Sequence, residues 1–352
     1  MKAAILHGVK DLRLEDVPRP GDPGPDEALV EITVCGLCGT DVHMWAGTNN
    51  EGTFPFIPGH EWSGRVVAVG TNVHHLKEGD RVTGEPFVGC RNCDVCHNGQ
   101  GPAFCPNHQY FGFTPDTPGG LAAFRLSPAE RLHKIPDNLS DEVAALTEPV
   151  SVAYHSVWNV GGGTAPHDRI VIFGAGPIGL FAIQTCLTSG ADVIVVEPSA
   201  YRREMAESIG ASTILDPSSE DVEKRVMELT GGLGATKIIE CSGSVAATAM
   251  TVDIVAVDGN IVLTGQSVGT KVPIEIGKTI WKHATISGYA GAHFYFPKTL
   301  AYMSKKLVAF ERVITHRFAI DDIAEAFDLC NRGTESAKVM IYPNREKMPA
   351  KT

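Results

Sequence analysis

Four cysteines lie close together within residues 90–105 and could bind one metal ion. They are Cys90, Cys93, Cys96 and Cys105, at intervals of three, three and nine residues. Structural zinc takes four soft ligands in a tetrahedron, and a short cysteine loop supplies them without regular secondary structure. Four thiolates leave no coordination position open. The spacing therefore predicts a structural zinc ion that stiffens the loop and takes no part in a reaction.

A second group of possible ligands is mixed in type. The run CGLCGTDVH contains Cys38, Thr40, Asp41 and His43, and the run PGHEWSG contains His60 and Glu61. One cysteine, one histidine and one carboxylate form the kind of zinc site that keeps a position open for water or a substrate oxygen. Taken singly, each is weak evidence, since a buried cysteine is usually core filler and an aspartate often caps a turn. Together with the cysteine loop they predict a catalytic zinc ion.

Residues 170–179 have the pattern of a β-strand, a glycine-rich turn and the start of a helix. Gly174, Gly176 and Gly179 give the spacing G-x-G-x-x-G. The first glycine allows the tight turn, the second lets backbone amides approach a pyrophosphate, and the third permits close packing of the helix. Glu197 follows 18 residues after Gly179, at the end of the next apolar run. An acid there can bind the ribose hydroxyls of NAD and would repel the 2′-phosphate of NADP, so the pattern favours NAD.

Two kinds of secondary structure must position these groups. Residues 1 to about 150 contain short β-type runs separated by turns, for example 28–34. After the glycines at 161–163 the pattern changes to alternating strand-like and helical runs, beginning with a strand at 170–173 and a helix at 177–189. Such alternation is typical of a parallel, doubly wound sheet. We therefore predict an α/β protein whose first half is mostly β.

Composition limits the possible partners and the cellular location. The 352 residues suggest about two domains, and 43% hydrophobic with 20% charged residues is ordinary for a globular protein. Thirty basic against 41 acidic residues give a net charge of −11, which makes nucleic acid a poor partner. The longest apolar run, 170–183, is short and broken by glycines, so we expect no membrane span. The N-terminus has no signal-peptide core, and we expect a cytoplasmic protein with reduced cysteines.

Together these motifs resemble the zinc-dependent medium-chain dehydrogenase/reductase superfamily, over essentially the whole chain. Within it the sequence is similar to the polyol branch, which includes sorbitol dehydrogenase, and to the neighbouring threonine 3-dehydrogenases and scyllo-inosose dehydrogenases. The resemblance implies a GroES-like β catalytic domain formed by residues 1–153 and 293–352. It implies a Rossmann NAD-binding domain at 154–292 inserted between these two segments, and a homo-oligomer, either a tetramer or a dimer.

The resemblance also implies roles for individual residues. Cys38, rather than Cys35, is the cysteine of the catalytic zinc, and Thr40 and His43 form a proton relay. The run EPVSVA places Glu148 at the edge of the metal, where two-zinc alcohol dehydrogenases have a cysteine, and this difference points to polyol or threonine substrates. The expected contacts to the cofactor are Ile178, Glu197, Arg202, Thr264, Gly265, Gln266, Gly288 and Tyr289.

These observations favour NAD-linked oxidation of a secondary alcohol in a polyol, sugar alcohol or cyclitol. L-threonine 3-dehydrogenase is an alternative, because it shares the zinc residues and a run like ITHRF at 314–318. An amino-acid substrate also needs a cation for its carboxylate and an acid for its ammonium, and the sequence identifies no such pair. A non-catalytic NAD-binding redox sensor or structural relative is the alternative of another class. It would be expected to lose metal or relay residues, and all of them are present.

Overall fold

The computed structural model describes residues 1–49, 52–265, 269–291 and 295–349. The chain divides into two compact units. Unit 1 contains Met1–Glu148, Ala292–Lys305 and Ile314–Thr352, and unit 2 contains Pro149–Gly291 and Lys306–Val313. None of the helices in the described residues is long and apolar enough to cross a lipid bilayer.

Unit 1 is built mainly from antiparallel strands. Numbered in chain order, its strands are β1 (Lys2–Gly8), β2 (Asp11–Asp16), β3 (Glu27–Gly36), β4 (Glu61–Val69), β5 (Arg81–Gly84), β6 (Phe87–Val88), β7 (Gln109–Tyr110), β8 (Phe124–Pro128), β9 (Leu132–Lys134), β16 (Ile314–Ala319) and β17 (Lys338–Tyr342). Its helices are α1 (Gly39–Ala46), α2 (Asp94–His97), α3 (Asp141–Ala145), α10 (Phe296–Met303) and α11 (Ile323–Arg332). The main sheet has the order β16-β17-β3-β4-β5-β9, and β8 also pairs with β3.

The central strand of this sheet is β3. Its side chains alternate, with Val30, Ile32 and Val34 buried and Glu31 and Thr33 half-buried between them. This period of two is that of a strand with one face on a core. Val30 and Ile32 belong to the core cluster of unit 1. The end of β3 leads directly into the turn that carries Cys38, so the sheet fixes the start of the candidate metal site.

Unit 2 contains a six-stranded parallel sheet with flanking helices. Its strands are β10 (Arg169–Phe173), β11 (Asp192–Val196), β12 (Thr213–Leu215), β13 (Ala235–Glu240), β14 (Val255–Leu263) and β15 (Thr285–Gly288). Its helices are α5 (Pro177–Leu187), α6 (Ala200–Ser208), α7 (Val222–Leu229), α8 (Val245–Ile254) and α9 (Ile276–Trp281). Helix α4 (Thr147–His155) begins in unit 1 and belongs to unit 2 from Pro149 onward, and a π-helical turn, Ser156–Val160, follows it.

The strand order of this sheet is β12-β11-β10-β13-β14-β15. The chain moves outward from β10 to β12 and then returns to β13 on the other side of β10. In such sheets ligands bind outside the carboxyl ends of the strands at the point where the order reverses. The turn after β10, which carries the glycine-rich motif, lies at that point. The predicted doubly wound parallel sheet and the α/β fold class are therefore confirmed.

One segment lies in a different unit from the one that the family resemblance implies. Residues 306–313 pack in unit 2. Phe310 contacts the ring of Phe181 with centroids 6.2 Å apart, and Gln184 Nε2 donates to the carbonyl of Ala309 at 2.8 Å. Helix α5 thus contacts this segment through the ring of Phe181 and the side-chain amide of Gln184.

Candidate metal centres and nucleotide pocket

The four cysteines of residues 90–105 converge as the spacing predicts. Their sulfur atoms all lie within 4.8 Å of one another. Cys93 precedes the short helix α2, and Cys93 Sγ lies 3.7 Å from Cys105 Sγ. Gly89 is required beside the cluster, because a Cβ at that position would lie 2.8 Å from Cys96 Sγ. The arrangement offers four sulfur ligands to a single ion, which suits tetrahedral zinc.

Backbone amides prepare part of this cluster for the thiolate form. The backbone N–H of Cys90 donates to Cys105 Sγ at 3.3 Å and lowers the pKa of the Cys105 thiol to about 6. Desolvation raises the pKa of Cys96 to about 11. Without a cation, the four sulfurs cannot all carry a charge at so short a separation, because like charges disfavour ionisation. A divalent ion removes this conflict, so the loop fits zinc.

The mixed group of ligands forms a second centre in unit 1. The ligand atoms of Cys38, His60 and Glu61 lie within 4.8 Å of one another. Cys38 is the N-cap of α1, whereas His60 and Glu61 lie at the start of β4, beside the end of β3. His60 and Glu61 are buried and Cys38 is half-buried. The predicted three residues are thus brought together by the pairing of two neighbouring strands.

Asp41 links the elements that carry these ligands. Its two carboxylate oxygens accept hydrogen bonds from the backbone N–H of Cys38 at 3.1 Å and of Gly59 at 3.2 Å. Asp41 Oδ1 also lies 3.7 Å from His60 Nδ1, and the aspartate is fully buried. A carboxylate close to a ligating histidine increases its basicity. Asp41 therefore holds the backbone of both ligand-bearing segments by hydrogen bonds and lies beside the ring of His60 without a hydrogen bond to it.

The donor set of the second centre fits a divalent cation. His60 Nδ1 is buried and has no hydrogen-bond partner among the described residues. Burial alone would lower the pKa of His60, but its electrostatic interactions with Tyr110, Asp41 and Cys38 raise this pKa well above its usual value. The pocket thus stabilises positive charge in its interior. A thiolate, an imidazole and a carboxylate are ligands that zinc accepts.

Glu61 is also held by a buried cation. Lys338 Nζ lies 2.6 Å and 2.8 Å from the two carboxylate oxygens of Glu61 and donates to the carbonyl of Leu37 at 3.0 Å. Lys338 is the first residue of β17, which pairs with β3. A side chain at Gly36 would leave no room for this pair, because a Cβ there would lie 2.5 Å from Glu61 Oε2.

Glu148 lies on α4 and is buried beside the same centre. It does not join the three ligands whose atoms lie within 4.8 Å of one another. Burial raises the pKa of Glu148 to about 7, and the charge of Glu61 adds to the increase, whereas His60 and Lys338 oppose it. A buried carboxyl with a raised pKa can hydrogen-bond or exchange protons beside the metal.

Thr40 and His43 lie on helix α1, three residues apart. Residues with this spacing share one face of a helix. Thr40 is half-buried, and Thr40 Oγ1 lies 3.6 Å from Cys38 Sγ. His43 is exposed, and its Nδ1 atom is 3.0 Å from Thr48 Oγ1. Thr40 thus contacts a predicted metal ligand, and His43 is exposed to solvent.

The glycine-rich turn in unit 2 has the backbone geometry that its spacing predicts. Gly174 has a φ of +88°, in the left-handed region that favours glycine. A Cβ at Gly179 would lie 1.9 Å from the carbonyl oxygen of Gly174, so only glycine allows α5 to pack on the turn. At Gly176 a Cβ would meet no heavy atom closer than 3.9 Å. The second glycine therefore borders open space, where a ligand could approach the backbone.

A pocket of about 390 Å³ opens beside this turn, and its lining includes Gly174, Gly176, Glu197 and Arg202. Glu197 is buried at the end of β11. It accepts hydrogen bonds from the backbone N–H of Ala175 at 2.7 Å and of Ser199 at 2.8 Å. Arg202 Nε is buried without a hydrogen-bond partner among the described residues. The pocket thus combines a fixed carboxylate with a guanidinium, next to the helix N-terminus that suits a phosphate.

The other predicted cofactor residues lie around the carboxyl edge of the same sheet. Ile178 and Gly179 are in the first turn of α5. Thr264 and Gly265 follow β14, Gly288 ends β15, and Tyr289 comes next. The ring of Tyr289 stacks on His155 with centroids 4.0 Å apart. None of these six lines the pocket beside Glu197. Gln266 lies outside the described residues.

Two supporting residues are not among those that the sequence analysis predicts. One is Lys338, whose partner Glu61 is 277 residues away in the chain. The other is Glu240, at the end of β13, whose side chain accepts from the backbone N–H of Ser242 at 2.8 Å. The carbonyl of Glu240 accepts from the backbone N–H groups of Thr264 and Gly265, both at 2.8 Å. An acid at the end of a parallel strand is the one sequence signal that could indicate Glu240.

Comparison with known families and proteins agrees with this description. Residues 24–137 match the family described as alcohol dehydrogenase GroES-like domain, and residues 177–308 match the family described as zinc-binding dehydrogenase. An L-threonine 3-dehydrogenase of Pyrococcus furiosus is 36% identical over 338 residues, which cover 93% of this chain and 93% of that protein. Human sorbitol dehydrogenase is 35% identical over 348 residues, which cover 96% of this chain and 94% of the human protein.

Solved structures share the fold over nearly the whole chain. The 2R,3R-butanediol dehydrogenase of Bacillus subtilis superposes with a TM-score of 0.89 at 31% identity, over 97% of this chain and 99% of that chain. A dehydrogenase from Sinorhizobium meliloti was solved with NADP, with a TM-score of 0.90 and 28% identity over 97% and 99% of the two chains. An alcohol dehydrogenase from Escherichia coli was solved with NADH, with a TM-score of 0.89, 28% identity and the same coverage.

Proposed function

Because this chain belongs to the zinc-dependent medium-chain alcohol and polyol dehydrogenases, we propose that it oxidises a secondary alcohol and transfers the hydride to NAD. The substrate class is a polyol, sugar alcohol or cyclitol. One observation carries the proposal: the ligand atoms of Cys38, His60 and Glu61 meet within 4.8 Å of one another. A cysteine, a histidine and a carboxylate leave a coordination position that a substrate hydroxyl can use.

The residues of unit 1 divide the work of removing a proton from the alcohol. Cys38, His60 and Glu61 would hold a zinc ion, which supplies Lewis acidity and makes a hydroxyl group more acidic. Thr40, in contact with Cys38, would accept the proton of the substrate hydroxyl while its own hydroxyl proton leaves toward His43. His43, three residues along the same face of α1 and exposed, would take up that proton and release it to solvent. Such general-base assistance contributes roughly 10²–10⁴-fold to a rate.

The proposed choice of NAD over NADP rests on Glu197. The carboxylate is held by two backbone N–H groups and lines the pocket beside the glycine-rich turn. Each carboxylate oxygen has two lone pairs, so Glu197 can still accept hydrogen bonds from ribose hydroxyls. A 2′-phosphate in the same place would meet this buried negative charge. Arg202 also lines the pocket and would attract a phosphate. The ratio of kcat/KM with NAD to kcat/KM with NADP therefore decides which of the two side chains dominates.

L-threonine is the second candidate substrate, because its dehydrogenases are as similar to this chain as sorbitol dehydrogenase is, at 36% against 35% identity. Replacement of the cysteine of two-zinc enzymes by Glu148 is compatible with both. We rank the polyol first, because the sequence identifies no cation and acid that would bind the carboxylate and the ammonium of an amino acid.

We further propose that the chain forms a homo-oligomer, a dimer or a tetramer. Helix α9 exposes Ile276, Ile280 and Trp281, with 60%, 69% and 87% of their surfaces accessible. This helix is followed by β15, which lies at the edge of the parallel sheet. Exposed apolar side chains beside a free sheet edge mark a surface that another chain can cover. A second copy of this chain is the partner that we propose.

A substrate screen tests the proposed activity. The zinc-loaded protein is incubated with NAD and, in separate wells, sugar alcohols, cyclitols, simple secondary alcohols and L-threonine, and NADH formation is followed by absorbance. We expect the highest kcat/KM with a polyhydroxylated secondary alcohol. A higher value with L-threonine would replace the polyol proposal, and no turnover of any alcohol by zinc-loaded protein would refute the enzymatic proposal. The Cys38→Ser variant is the matched control for metal-independent reduction of NAD.

A further inference from the structure

The ammonium of Lys338 is enclosed at the candidate catalytic metal centre. Its nitrogen has three acceptors, the two carboxylate oxygens of Glu61 at 2.6 Å and 2.8 Å and the carbonyl oxygen of Leu37 at 3.0 Å. An ammonium group has three N–H donors, so this set uses all of them. Lys338 and Glu61 are each only 1% exposed. A lysine so deeply buried is unusual unless it is paired, and here its partner is a predicted metal ligand.

The backbone fixes Lys338 in this place. Strand β17 pairs with the end of β3 through Met340 with Gly36 and Ile341 with Cys35. The backbone N–H of Leu37 donates to the carbonyl of Val339 at 2.9 Å, one residue after Lys338. The side chain therefore cannot turn away from Glu61 without loss of strand pairing or burial of an unpaired charge. The strand pairing of unit 1 therefore fixes the contact between Lys338 and Glu61.

A carboxylate that is shared between an ammonium and a metal gives less negative charge to the metal than a carboxylate of its own would. Lys338 also neutralises the negative charge of Glu61 when no metal is bound. The free energy that a metal gains by binding to Glu61 is therefore smaller. On the basis of the proposed function, we propose that Lys338 is a positioning residue that holds Glu61 as a shared, weakened ligand. This keeps the metal electron-poor and leaves its open position exchangeable for a substrate oxygen.

The first test removes the ammonium and keeps the carboxylate. In the full-length Lys338→Met protein, Glu61 has no partner except the metal, so the catalytic metal should be held more tightly. We expect zinc release to an excess of chelator to slow by at least about tenfold, because the ammonium no longer competes with the metal for the charge of Glu61. This direction is opposite to the usual result of losing a ligand's hydrogen-bond partner, which weakens metal binding about 10–100-fold. With Co²⁺ in place of zinc, the visible d–d absorption of this site should change in position or intensity, because Glu61 binds more closely.

Two reference proteins make these signals specific. The Cys38→Ser protein reports the metal of the four-cysteine loop alone, and its signal is subtracted. The Arg317→Met protein removes another cation of unit 1 that binds a carboxylate through two hydrogen bonds, to Glu142 at 2.6 Å and 2.9 Å. Arg317 does not contact the three ligands, so this control should release zinc at the wild-type rate and keep the wild-type Co²⁺ spectrum.

A second comparison decides the proposal even if Lys338→Met alone does not fold. In Glu61→Gln the buried ammonium has lost its counter-charge and repels the metal, so we expect release at least about tenfold faster than in the wild type. Adding Lys338→Met to Glu61→Gln removes that repulsion and should restore slower release. A pair that served folding alone would show no such reversal in the double variant.

The proposal is overturned if folded Lys338→Met releases zinc at the wild-type rate or faster with an unchanged Co²⁺ spectrum. It is also overturned if the double variant releases zinc as fast as Glu61→Gln or faster. A different measurement reveals failure of the proposed function: the zinc content of the wild-type protein would then be no higher than that of the Cys38→Ser protein. Wild-type binding of a second zinc ion with no effect of Lys338 would refute this inference alone.

Discussion

Asp41 should control how tightly the catalytic metal is held, although it lies behind the ligands. The substitution Asp41→Asn keeps the shape of the side chain but removes its charge. One of the two backbone N–H groups, of Cys38 or of Gly59, then faces an amide NH₂ in place of a carboxylate oxygen. Hydrogen bonds to charged groups contribute about 1.5–3 kcal/mol each. We expect unfolding to become easier by about that amount, since Asp41 is fully buried.

The effect of Asp41→Asn on the metal can be estimated separately. Loss of a partner behind a metal ligand weakens metal affinity about 10–100-fold, which corresponds to about 1.4–2.8 kcal/mol. The assay is zinc content after equilibration with graded chelator, together with the thermal midpoint of unfolding. The control is Asp11→Asn, which breaks a partly exposed pair with Arg13 in the same unit. If Asp41→Asn retains zinc as tightly as the control does, Asp41 does not orient the ligands.

Five further substitutions test other parts of the site and the assembly. Cys38→Ser should lose about one zinc ion of two with the fold retained, measured by metal analysis; loss of both or of neither would contradict two separate centres. Glu197→Ala should narrow the preference for NAD over NADP in steady-state kinetics. Equal kcat/KM with both cofactors in the wild type would disprove the proposed role of Glu197 in selecting NAD. His43→Ala should keep its zinc while turnover at neutral pH falls roughly 10²-fold, less so at higher pH, where hydroxide can take the proton. Thr40→Ala should behave alike, and a double variant whose defects multiply would disprove a single relay. Trp281→Asp should lower the molecular mass measured by light scattering, and an unchanged oligomer would place the interface elsewhere.

The sequence predicts the parallel sheet of unit 2 well, because its signals are local. A helix is predicted over 177–189, and the structure has Pro177–Leu187. The strand predicted at 170–173 is observed as Arg169–Phe173. Its run of apolar residues is buried on both faces, as in a central parallel strand. The assignment of 306–313 to unit 2 depends instead on contacts with α5, which no local pattern contains.

The two groups of metal ligands also differ in whether their signal is local in the sequence. The four cysteines lie within 16 consecutive residues, so their spacing is enough to predict a common ion. Cys38 and His60 are 22 residues apart and meet only because β3 and β4 are neighbours. The residue types and the family resemblance predict this second centre, while the partners of its carboxylates emerge only from the three-dimensional pairing.

Three buried glutamates show which hydrogen-bond or ion-pair partners of a carboxylate can be predicted from the sequence. Glu197 and Glu240 each accept hydrogen bonds from backbone N–H groups two residues further along, at Ser199 and Ser242. Backbone dipoles stabilise a carboxylate without a counter-ion, so such residues need only a loop after a strand, which the sequence does indicate. Glu61 has instead a cation 277 residues away. Because breaking a buried ion pair leaves an uncompensated charge, which is strongly destabilising, a change at position 61 has consequences at 338 that no local motif can show.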